Sequence, residues 1–277
     1  MAENGASHWK ESLMSVTFSF DEKTAQQLSL IYQSEDIREM QRQYRVWFDP
    51  RPGENILDVG CGTGINALAL SKMVGAGGKI VGIDNSDAML AVARATAVAG
   101  NIEYQLKAVE EMEFPEDSFD GVVCTQVLGY TADAMPVIQA ILRVVKPSGR
   151  VFIAETDWDT LVYNIPDKEL QRKVTLGFSD HHGDGWFGRR LYSLCQQAGA
   201  KQIDLHHYVI HNDEYSARRY GGPLSYVIRD YLLRTKKCTP EEVERWMRQL
   251  SDAFDNHTYF FSLNRFVCIL RKGEAGG

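Results

Sequence analysis

Short apolar runs alternate with helical segments between residues 55 and 154 of the chain. The runs are predicted to be β-strands, because each is short and is followed by glycine or a polar residue. The predicted strands are Asn55–Val59, Lys79–Ile83, Ile102–Leu106, Phe119–Thr125 and Arg150–Ala154. The intervening segments with helical spacing are Ile65–Met73, Ser86–Ala99 and Ala134–Val145. This alternation predicts a parallel sheet with helices on both faces.

The alternation weakens after Asp157. The helices predicted next are Leu161–Thr175 and Leu191–Ala198. The last two predicted strands are Gln202–Ile210 and Tyr259–Arg271. Seven strands are therefore expected in all, in an α/β fold.

Two predicted helices interrupt the last two strands, at Tyr215–Leu233 and Glu241–Phe254. The second has a strong start signal, because Thr239 suits the N-cap, Pro240 the first helical position and Glu242 the capping box. A helical insertion at about residues 213–256 is predicted to be a lid over a site at the sheet edge. Gly221-Gly222-Pro223 is predicted to bend its first helix.

The first fifty residues are predicted to form a helical cap. Asp21–Phe48 has apolar residues at helical spacing, with Ser34 as a cap between two helices. Asp49-Pro50 ends the second helix. We expect a helical cap over residues 1–50 and a main domain over residues 51–277.

A glycine loop, Gly60-Cys61-Gly62-Thr63-Gly64, follows the first strand directly. It resembles the dinucleotide fingerprint but fails it, because Ile65 stands where the last glycine belongs. Asp84 ends the next strand, at the spacing of a carboxylate that accepts hydrogen bonds from ribose hydroxyls. The sequence thus favours a nucleoside ligand without a diphosphate; the alternative is a tight turn beside an exposed Asp.

Four blocks together resemble the class I S-adenosylmethionine-dependent methyltransferases, within them the menaquinone/ubiquinone C-methyltransferase branch. The blocks are Leu57–Gly64, Gly82–Ser86 with Met89-Leu90, Glu110–Phe119, and Leu142–Phe152 with its Lys146-Pro147-Ser148-Gly149-Arg150 stretch. The resemblance implies S-adenosylmethionine as the cofactor and methyl transfer as the activity. It also implies a doubly wound, seven-stranded, mostly parallel sheet of the Rossmann-like methyltransferase fold.

The resemblance implies which residues bind the methionine part of the cofactor. Gly60, Cys61 and Gly62 would line it, and Asp58 would orient its amino group through water. Thr125, after the fourth strand, would reach it through the backbone.

The resemblance also implies which residues bind the nucleoside. Asp84 would hold the ribose, and Asn85 would lie against the adenine. In the segment Ala108-Val109-Glu110, Ala108 stands where the family usually has an Asp for the adenine amino group, so Glu110 or a backbone group would have to replace it. Tyr32 either closes over the cofactor or belongs to the core.

The acceptor site is expected beyond the carboxyl ends of the strands, where open α/β sheets bind ligands. The candidate catalytic residues are Tyr130, Asp157 and His181. The candidate acceptor-binding residues are Gln126, Trp158, Trp186, Tyr226 and Arg229. The segment His181–Arg190 has loop composition, and His181 or His182 could be a base or merely solvated. His206, His207 and His211 lack a completing carboxylate or cysteine, so no metal site is expected.

Composition narrows the function classes. Apolar residues make up 44% and charged residues 24%, which is typical of globular proteins. The net charge of −7 disfavours nucleic acid as a partner. The five scattered cysteines indicate reduced thiols, and no stretch is long and apolar enough for a membrane span. We expect a cytoplasmic enzyme, with the oligomeric state left open.

The sequence therefore predicts S-adenosylmethionine-dependent methyl transfer to a small organic acceptor, apolar or aromatic. One alternative is a relative that binds the same cofactor but catalyses other chemistry or serves as a binding module. Another is an NAD-dependent dehydrogenase, which Ile65 disfavours. The fold supports carbon, nitrogen and oxygen acceptors alike.

Overall fold

The computed structural model describes residues 31–97, 100–179, 181 and 183–272 of the chain. The predicted helix before residue 31 and the candidate base His182 lie outside the described residues.

In the described residues, seven strands form one sheet in the order β3-β2-β1-β4-β5-β7-β6. They are β1 (Asn55–Val59), β2 (Lys79–Asp84), β3 (Ile102–Leu106), β4 (Phe119–Thr125), β5 (Val145–Tyr163), β6 (Gln202–Asn212) and β7 (Phe261–Arg271). The pairs among β1 to β5 are parallel, whereas β7 runs antiparallel to both β5 and β6. The predicted doubly wound, mostly parallel α/β fold is confirmed.

Helices cover both faces of the sheet. Those in the described residues are α1 (Glu35–Phe48), α2 (Ile65–Val74), α3 (Asp87–Thr96), α4 (Ala134–Val144), α5 (Lys168–Ser179), α6 (Phe187–Gln197), α7 (Gly221–Thr235) and α8 (Pro240–Asp255). Helices α1, α2, α5, α7 and α8 contribute to the apolar core on one face, and α4 and α6 to the core on the other. Because both faces are covered, the central strands β1, β2 and β4 are mostly apolar.

Strand β1 lies between two parallel partners, and the register places three strand ends at the same level. Val59, the last residue of β1, pairs with Ile83 of β2 and with Cys124 of β4. The residues that follow these three are Gly60, Asp84 and Thr125. They therefore emerge together at the carboxyl edge of the sheet.

A buried arginine ties the end of α1 to the sheet. Arg150 of β5 donates hydrogen bonds to the carbonyl oxygens of Phe48 and Asp49, and its guanidinium is 2.7 Å and 2.8 Å from the two carboxylate oxygens of Glu54. One turn earlier in α1, the Tyr44 ring packs 5.0 Å from the ring of Phe152 on β5. The end of α1 is thus held near the amino edge of the sheet, and its first turns, with Ile37 and Met40, lie at the cavity.

Strand β5 is much longer than the predicted Arg150–Ala154 segment. Val162 and Tyr163 pair with Ser262 and Phe261 of β7, so Leu161–Tyr163 is strand and not the start of a helix. The following helix, α5, begins only at Lys168, after Pro166. Pairing with a distant strand outweighed the local helical spacing.

The late insertion does not form a mid-helix bend at Gly221-Gly222-Pro223. These residues are the first turn of α7, where a Cβ on Gly222 would lie 2.3 Å from the Ser216 carbonyl oxygen. Tyr231 of α7 and Trp246 of α8 are fully buried in the core that also holds Ile56 of β1. The insertion is therefore built into the main core.

No helix in the described part of the chain is long and apolar enough to cross a membrane. The five cysteines are all free and buried.

The start of α8 generates a stability prediction. The Thr239 hydroxyl accepts a hydrogen bond from the Glu242 amide, and the Glu242 carboxylate accepts one from the Thr239 amide, as the sequence predicted. Thr239→Ala removes half of this capping box and should lower the free energy of unfolding by about 1 kcal/mol. Urea denaturation measures this.

The matched control is Ser34→Ala at the N-cap of α1. Ser34 makes no side-chain capping bond, and its buried hydroxyl has no partner among the described residues. Its removal should leave stability unchanged or raise it. An equal loss in both variants would contradict the assignment of the cap.

Candidate active site

A cavity of about 190 Å3 opens at the carboxyl edge of the sheet, beside α1. The predicted site residues that line it are Tyr32, Gly60, Cys61, Gly62, Asp84, Asn85, Val109, Glu110, Thr125, Gln126 and Tyr130. Of the residues predicted to bind the cofactor, only Asp58 and Ala108 do not line it. The structure thus gathers residues from β2 and β4 and from the segments that follow β1, β3 and β4, together with Tyr32.

The glycine loop requires glycine for both conformation and space. Gly60, Gly62 and Gly64 all have positive φ, of 66°, 53° and 77°. A Cβ on Gly60 would lie 2.2 Å from a methyl group of Val127, which follows β4. The backbone is therefore exposed to the cavity at Gly60 and Gly62, which also line it, and can approach a ligand closely.

The Asp84 carboxylate braces the loop as well as lining the cavity. One oxygen accepts from the Gly62 amide at 2.8 Å and the other from the Ser86 amide at 2.9 Å. Burial raises the pKa of Asp84, and the hydrogen bonds from Ser86 and Gly62 oppose that shift. Each carboxylate oxygen has a further lone pair that can accept from a ligand hydroxyl.

Asp58 lies behind the loop. Its side chain is buried, and its Oδ2 has no partner among the described residues. Burial, reinforced by the nearby charge of Asp84, raises the pKa of Asp58 to about 7. Any action of Asp58 on a ligand must therefore pass through the loop or through water.

Ala108 is the second departure from the predicted cofactor set. It is the N-cap residue of a short 3-10 turn, Val109–Glu111, and the next two residues line the cavity in its place. Since alanine carries only a methyl group, Ala108 has no polar side chain to offer a base edge.

On the acceptor side, Gln126 and Tyr130 line the cavity as predicted. Gln126 has a φ of 58°, an uncommon left-handed conformation for a residue other than glycine. Its side-chain oxygen accepts a hydrogen bond of 2.6 Å from the Thr156 hydroxyl. This bond orients the Gln126 amide.

The two other candidate catalytic residues do not line the cavity. The His181 ring is buried, stacks 4.1 Å from the Phe178 ring, and its Nδ1 lies 2.6 Å from the Phe178 carbonyl oxygen. The buried Asp157 carboxylate is held by the guanidinium of Arg189, with one N–O distance of 2.7 Å. The structure does not bring His181 and Asp157 to the cavity, because core packing and an ion pair engage their side chains.

Four of the predicted acceptor-binding residues also lie away from the cavity. Trp158 is buried, with its ring 4.6 Å from that of His181. Trp186 is 53% exposed and donates its indole N–H to Asp159. Tyr226 is 48% exposed and lies under Arg229, which pairs with Asp230 at 2.7 Å.

Consequently, no described residue of the 213–256 insertion lines this cavity. The helices of the insertion pack into the main core and do not form the predicted lid over this cavity. The described surface that covers the cavity belongs instead to α1, through Ile37, Met40, Gln41 and Tyr44.

Sequence reasoning missed Glu155, at the point where β5 passes the carboxyl edge. Its Oε1 accepts from the amides of Val127 and Leu128, at 2.9 Å and 2.8 Å, and its Oε2 has no partner among the described residues. Burial raises the pKa of Glu155 to about 7, against the lowering effect of those amides and of Arg265. Glu155 thus positions the segment after β4 that lines the cavity.

Sequence reasoning also missed Arg265, a cavity-lining residue in the middle of β7. It is only 3% exposed, and its Nε has no partner among the described residues. The signal that could have found it is a cation within an apolar strand, Phe261–Arg271, since arginine is rarely buried without a specific purpose.

The comparisons with known proteins agree with this geometry. Residues 57–153 match the family described as a methyltransferase domain. Over 121 residues the chain is 39% identical to a demethylmenaquinone methyltransferase of Bacillus cereus, which covers 41% of this chain and 49% of that protein. The chain spans about half the length of the curated relatives that it matches.

Solved structures share the fold over more of the chain. The YcgJ protein of Bacillus subtilis matches with a TM-score of 0.58 and 19% identity, over 86% of this chain and 100% of that chain. The phosphoethanolamine N-methyltransferase 2 of Haemonchus contortus, solved with S-adenosyl-L-methionine, gives 0.59 and 16%, over 92% of this chain and 58% of that chain. At such identities the structural likeness shows the fold alone. Together with the family match, it confirms the resemblance to class I S-adenosylmethionine-dependent methyltransferases.

The buried Glu155 generates a prediction about pH. Its pKa is about 7 in the folded protein, against an ordinary value of 4.5, so between these limits the folded state holds a proton that the unfolded state releases. The contribution of this group to stability is therefore fully present below pH 4.5 and is lost as the pH rises towards 7 and above. The free energy of unfolding of Glu155→Gln should therefore lack a decrease of about 1–3 kcal/mol that the wild type shows as the pH rises.

The measurement is the free energy of unfolding of both proteins at intervals between pH 5 and pH 8. The exposed Glu169→Gln variant is the matched control and should follow the wild type. A Glu155→Gln variant with an unchanged dependence on pH would contradict the assigned shift.

Proposed function

We propose that this chain binds S-adenosylmethionine and transfers its methyl group to a small organic acceptor with an apolar or aromatic body. The observation that carries the proposal is one cavity in which the glycine loop, the Asp84 carboxylate and the apolar side of α1 meet. The predicted cofactor is confirmed at the level of family and fold. The acceptor is an inference from the cavity.

The residues at the carboxyl edge fit this cofactor. Gly60 and Gly62 line the cavity with positive φ, so their backbone can approach a ligand closely, and Cys61 lies between them. Asp84 would hold the ribose hydroxyls, and Asn85 with the Val109-Glu110 backbone would flank the adenine.

A dinucleotide fits the cavity less well. Ile65 itself lines it, at the position where a pyrophosphate-binding loop has its last glycine. The bulk of this side chain lies at the start of α2, the helix terminus that would otherwise receive a pyrophosphate.

The acceptor class is inferred from the cavity wall. Ile37, Met40 and Tyr44 of α1 and Tyr130 after β4 present apolar and aromatic surface. A concave site of this kind suits a small molecule. The demethylmenaquinone methyltransferases among the relatives are named for an aromatic quinone-type acceptor, which agrees with that chemistry.

For the proposed methyl transfer, the main task of the protein is to position the cofactor and the acceptor. The bound cofactor would supply an electrophilic methyl group, and because its leaving thioether is neutral, proximity and alignment carry much of the rate. Gln126, oriented by Thr156, and Tyr130 lie where an acceptor would be aligned. With His181 and Asp157 placed outside the cavity, neither is assigned as a base.

The assignment of Asp84 generates a prediction. Asp84→Ala should weaken binding of S-adenosylhomocysteine roughly ten- to a hundredfold, because charge-assisted hydrogen bonds to the ribose are lost. Isothermal titration calorimetry measures this affinity. NADH should produce no binding heat with the wild-type protein.

The matched control is Asp87→Ala, an exposed carboxylate in the first turn of α3. It should bind S-adenosylhomocysteine as the wild type does. Failure of the wild-type protein to bind either S-adenosylmethionine or S-adenosylhomocysteine would overturn the proposed function, and release of no S-adenosylhomocysteine with any acceptor would favour the alternative of other chemistry.

A further inference from the structure

Arg265 is a buried cation for which the described residues provide no ion-pair partner. It is 3% exposed, lines the cavity, and has no carboxylate within ion-pair distance among the described residues. The groups that act on it most strongly are the hydroxyls of Tyr220, Tyr44 and Tyr32, which are neutral at neutral pH. A buried charge in such surroundings is costly, so its retention points to a ligand that compensates it.

We propose that Arg265 binds an ionised oxygen of the acceptor, so that the substrates of this site are small aromatic or apolar acids. The shared chemistry is an oxyanion, either a carboxylate or a phenolate, carried on an apolar body. This inference rests on the proposed function, since it assigns the acceptor of the same cavity.

The position of Arg265 in the sheet is on the acceptor side. Its strand, β7, is separated from β2, which carries Asp84, by β1, β4 and β5. At about 4.8 Å per strand this amounts to roughly 19 Å. The cofactor's sulfur is joined to its ribose through a single carbon atom, so its reactive end lies well short of β7.

The residue opposite Arg265 strengthens this placement. Thr156 of β5 pairs with Arg265, and its hydroxyl donates to Gln126, which lines the cavity after β4. Thr156 thus links the two residues, since it pairs with Arg265 in the sheet and donates a hydrogen bond to Gln126. Both Arg265 and Gln126 line the cavity.

The surroundings of Arg265 suit an aromatic acid better than a hydrated ion. The Tyr220 ring centroid lies 5.9 Å from the guanidinium carbon, and the Tyr44 ring packs against Phe152. An acceptor with a planar apolar body would contact the Tyr44 and Tyr130 rings, which line the cavity, while its oxyanion reaches the guanidinium. Arginine presents a planar fork of donors that matches a carboxylate.

Glu155 does not remove the need for an anion. Its Oε1 is engaged by the Val127 and Leu128 amides, and it lies beyond ion-pair distance of Arg265. In the pairing of β5 with β7 it stands opposite Phe266, one position away from the Thr156–Arg265 pair, and neighbouring strand positions face opposite sides of the sheet.

The test uses protein saturated with S-adenosylhomocysteine and three probes of matched shape. These are 2-naphthoate, 2-naphthol and the neutral ester methyl 2-naphthoate. Calorimetry measures their affinity for the wild type, Arg265→Met, Arg265→Lys and the control Arg271→Met. Arg271 is an exposed arginine at the far end of the same strand.

We expect the wild type and Arg271→Met to bind 2-naphthoate roughly ten- to a hundredfold more tightly than the ester. Arg265→Met should lose this preference, and Arg265→Lys should retain part of it. Tight binding of 2-naphthol that strengthens as the pH rises, with weak binding of 2-naphthoate, would assign the oxyanion to a phenolate. Preference for 2-naphthoate would assign it to a carboxylate.

Several outcomes would overturn the inference. These are equal affinity for 2-naphthoate and its ester together with 2-naphthol binding that does not strengthen as the pH rises, no binding of either acidic probe at millimolar concentration, or a preference for the ionised probe that persists in Arg265→Met. Loss of S-adenosylhomocysteine affinity in Arg265→Met alone would instead assign Arg265 to the cofactor's own carboxylate. Absence of S-adenosylhomocysteine binding in the wild type is a different result, because it removes the proposed function itself.

Thermal unfolding separates binding from folding. Replacing an uncompensated buried cation by methionine should leave the melting temperature of the ligand-free protein unchanged or raise it. A large fall for both Arg265 variants would mean that Arg265 is a structural residue, and would also overturn the inference.

Discussion

The parallel pairing of β1 with β2 on one side and β4 on the other is the constraint on which the rest of this structure depends. Because Val59, Ile83 and Cys124 are in register, the glycine loop, Asp84 and Thr125 emerge at one edge of the sheet. In a parallel sheet this edge has no hairpins to close it, since crossovers return to the opposite edge. The cavity occupies that space.

Buried charged groups around the cavity lower the stability of the fold. Asp58 and Glu155 each have a buried carboxylate oxygen without a partner among the described residues, and Arg265 has an unpartnered buried Nε. A fold selected only for stability would replace such groups by apolar side chains. Their position around one cavity is typical of a site that binds polar groups of a ligand.

Most residues predicted for the cofactor side line the cavity, because they lie in short segments at the ends of neighbouring strands. Gly60, Cys61 and Gly62 form one loop, and Asp84 ends the next strand, so local spacing already carries their geometry. The acceptor side could not be predicted in the same way. His181 and Asp157 were attractive by residue type, but Phe178 and Arg189 engage them, and those partners are recognised only once the helices are packed.

The sequence by itself determined the order of strands and helices and the glycine loop, because these follow from local periodicity and from short motifs, and its resemblance to a known family implied the cofactor. Tertiary structure alone decided that β5 continues to Tyr163, that α7 and α8 enter the core, and that α1 covers the cavity. It also decided that Arg265, far from every motif in the chain, faces the same space as Gly60. Strand pairing and core packing join residues distant in sequence, and no local pattern records which of them will meet.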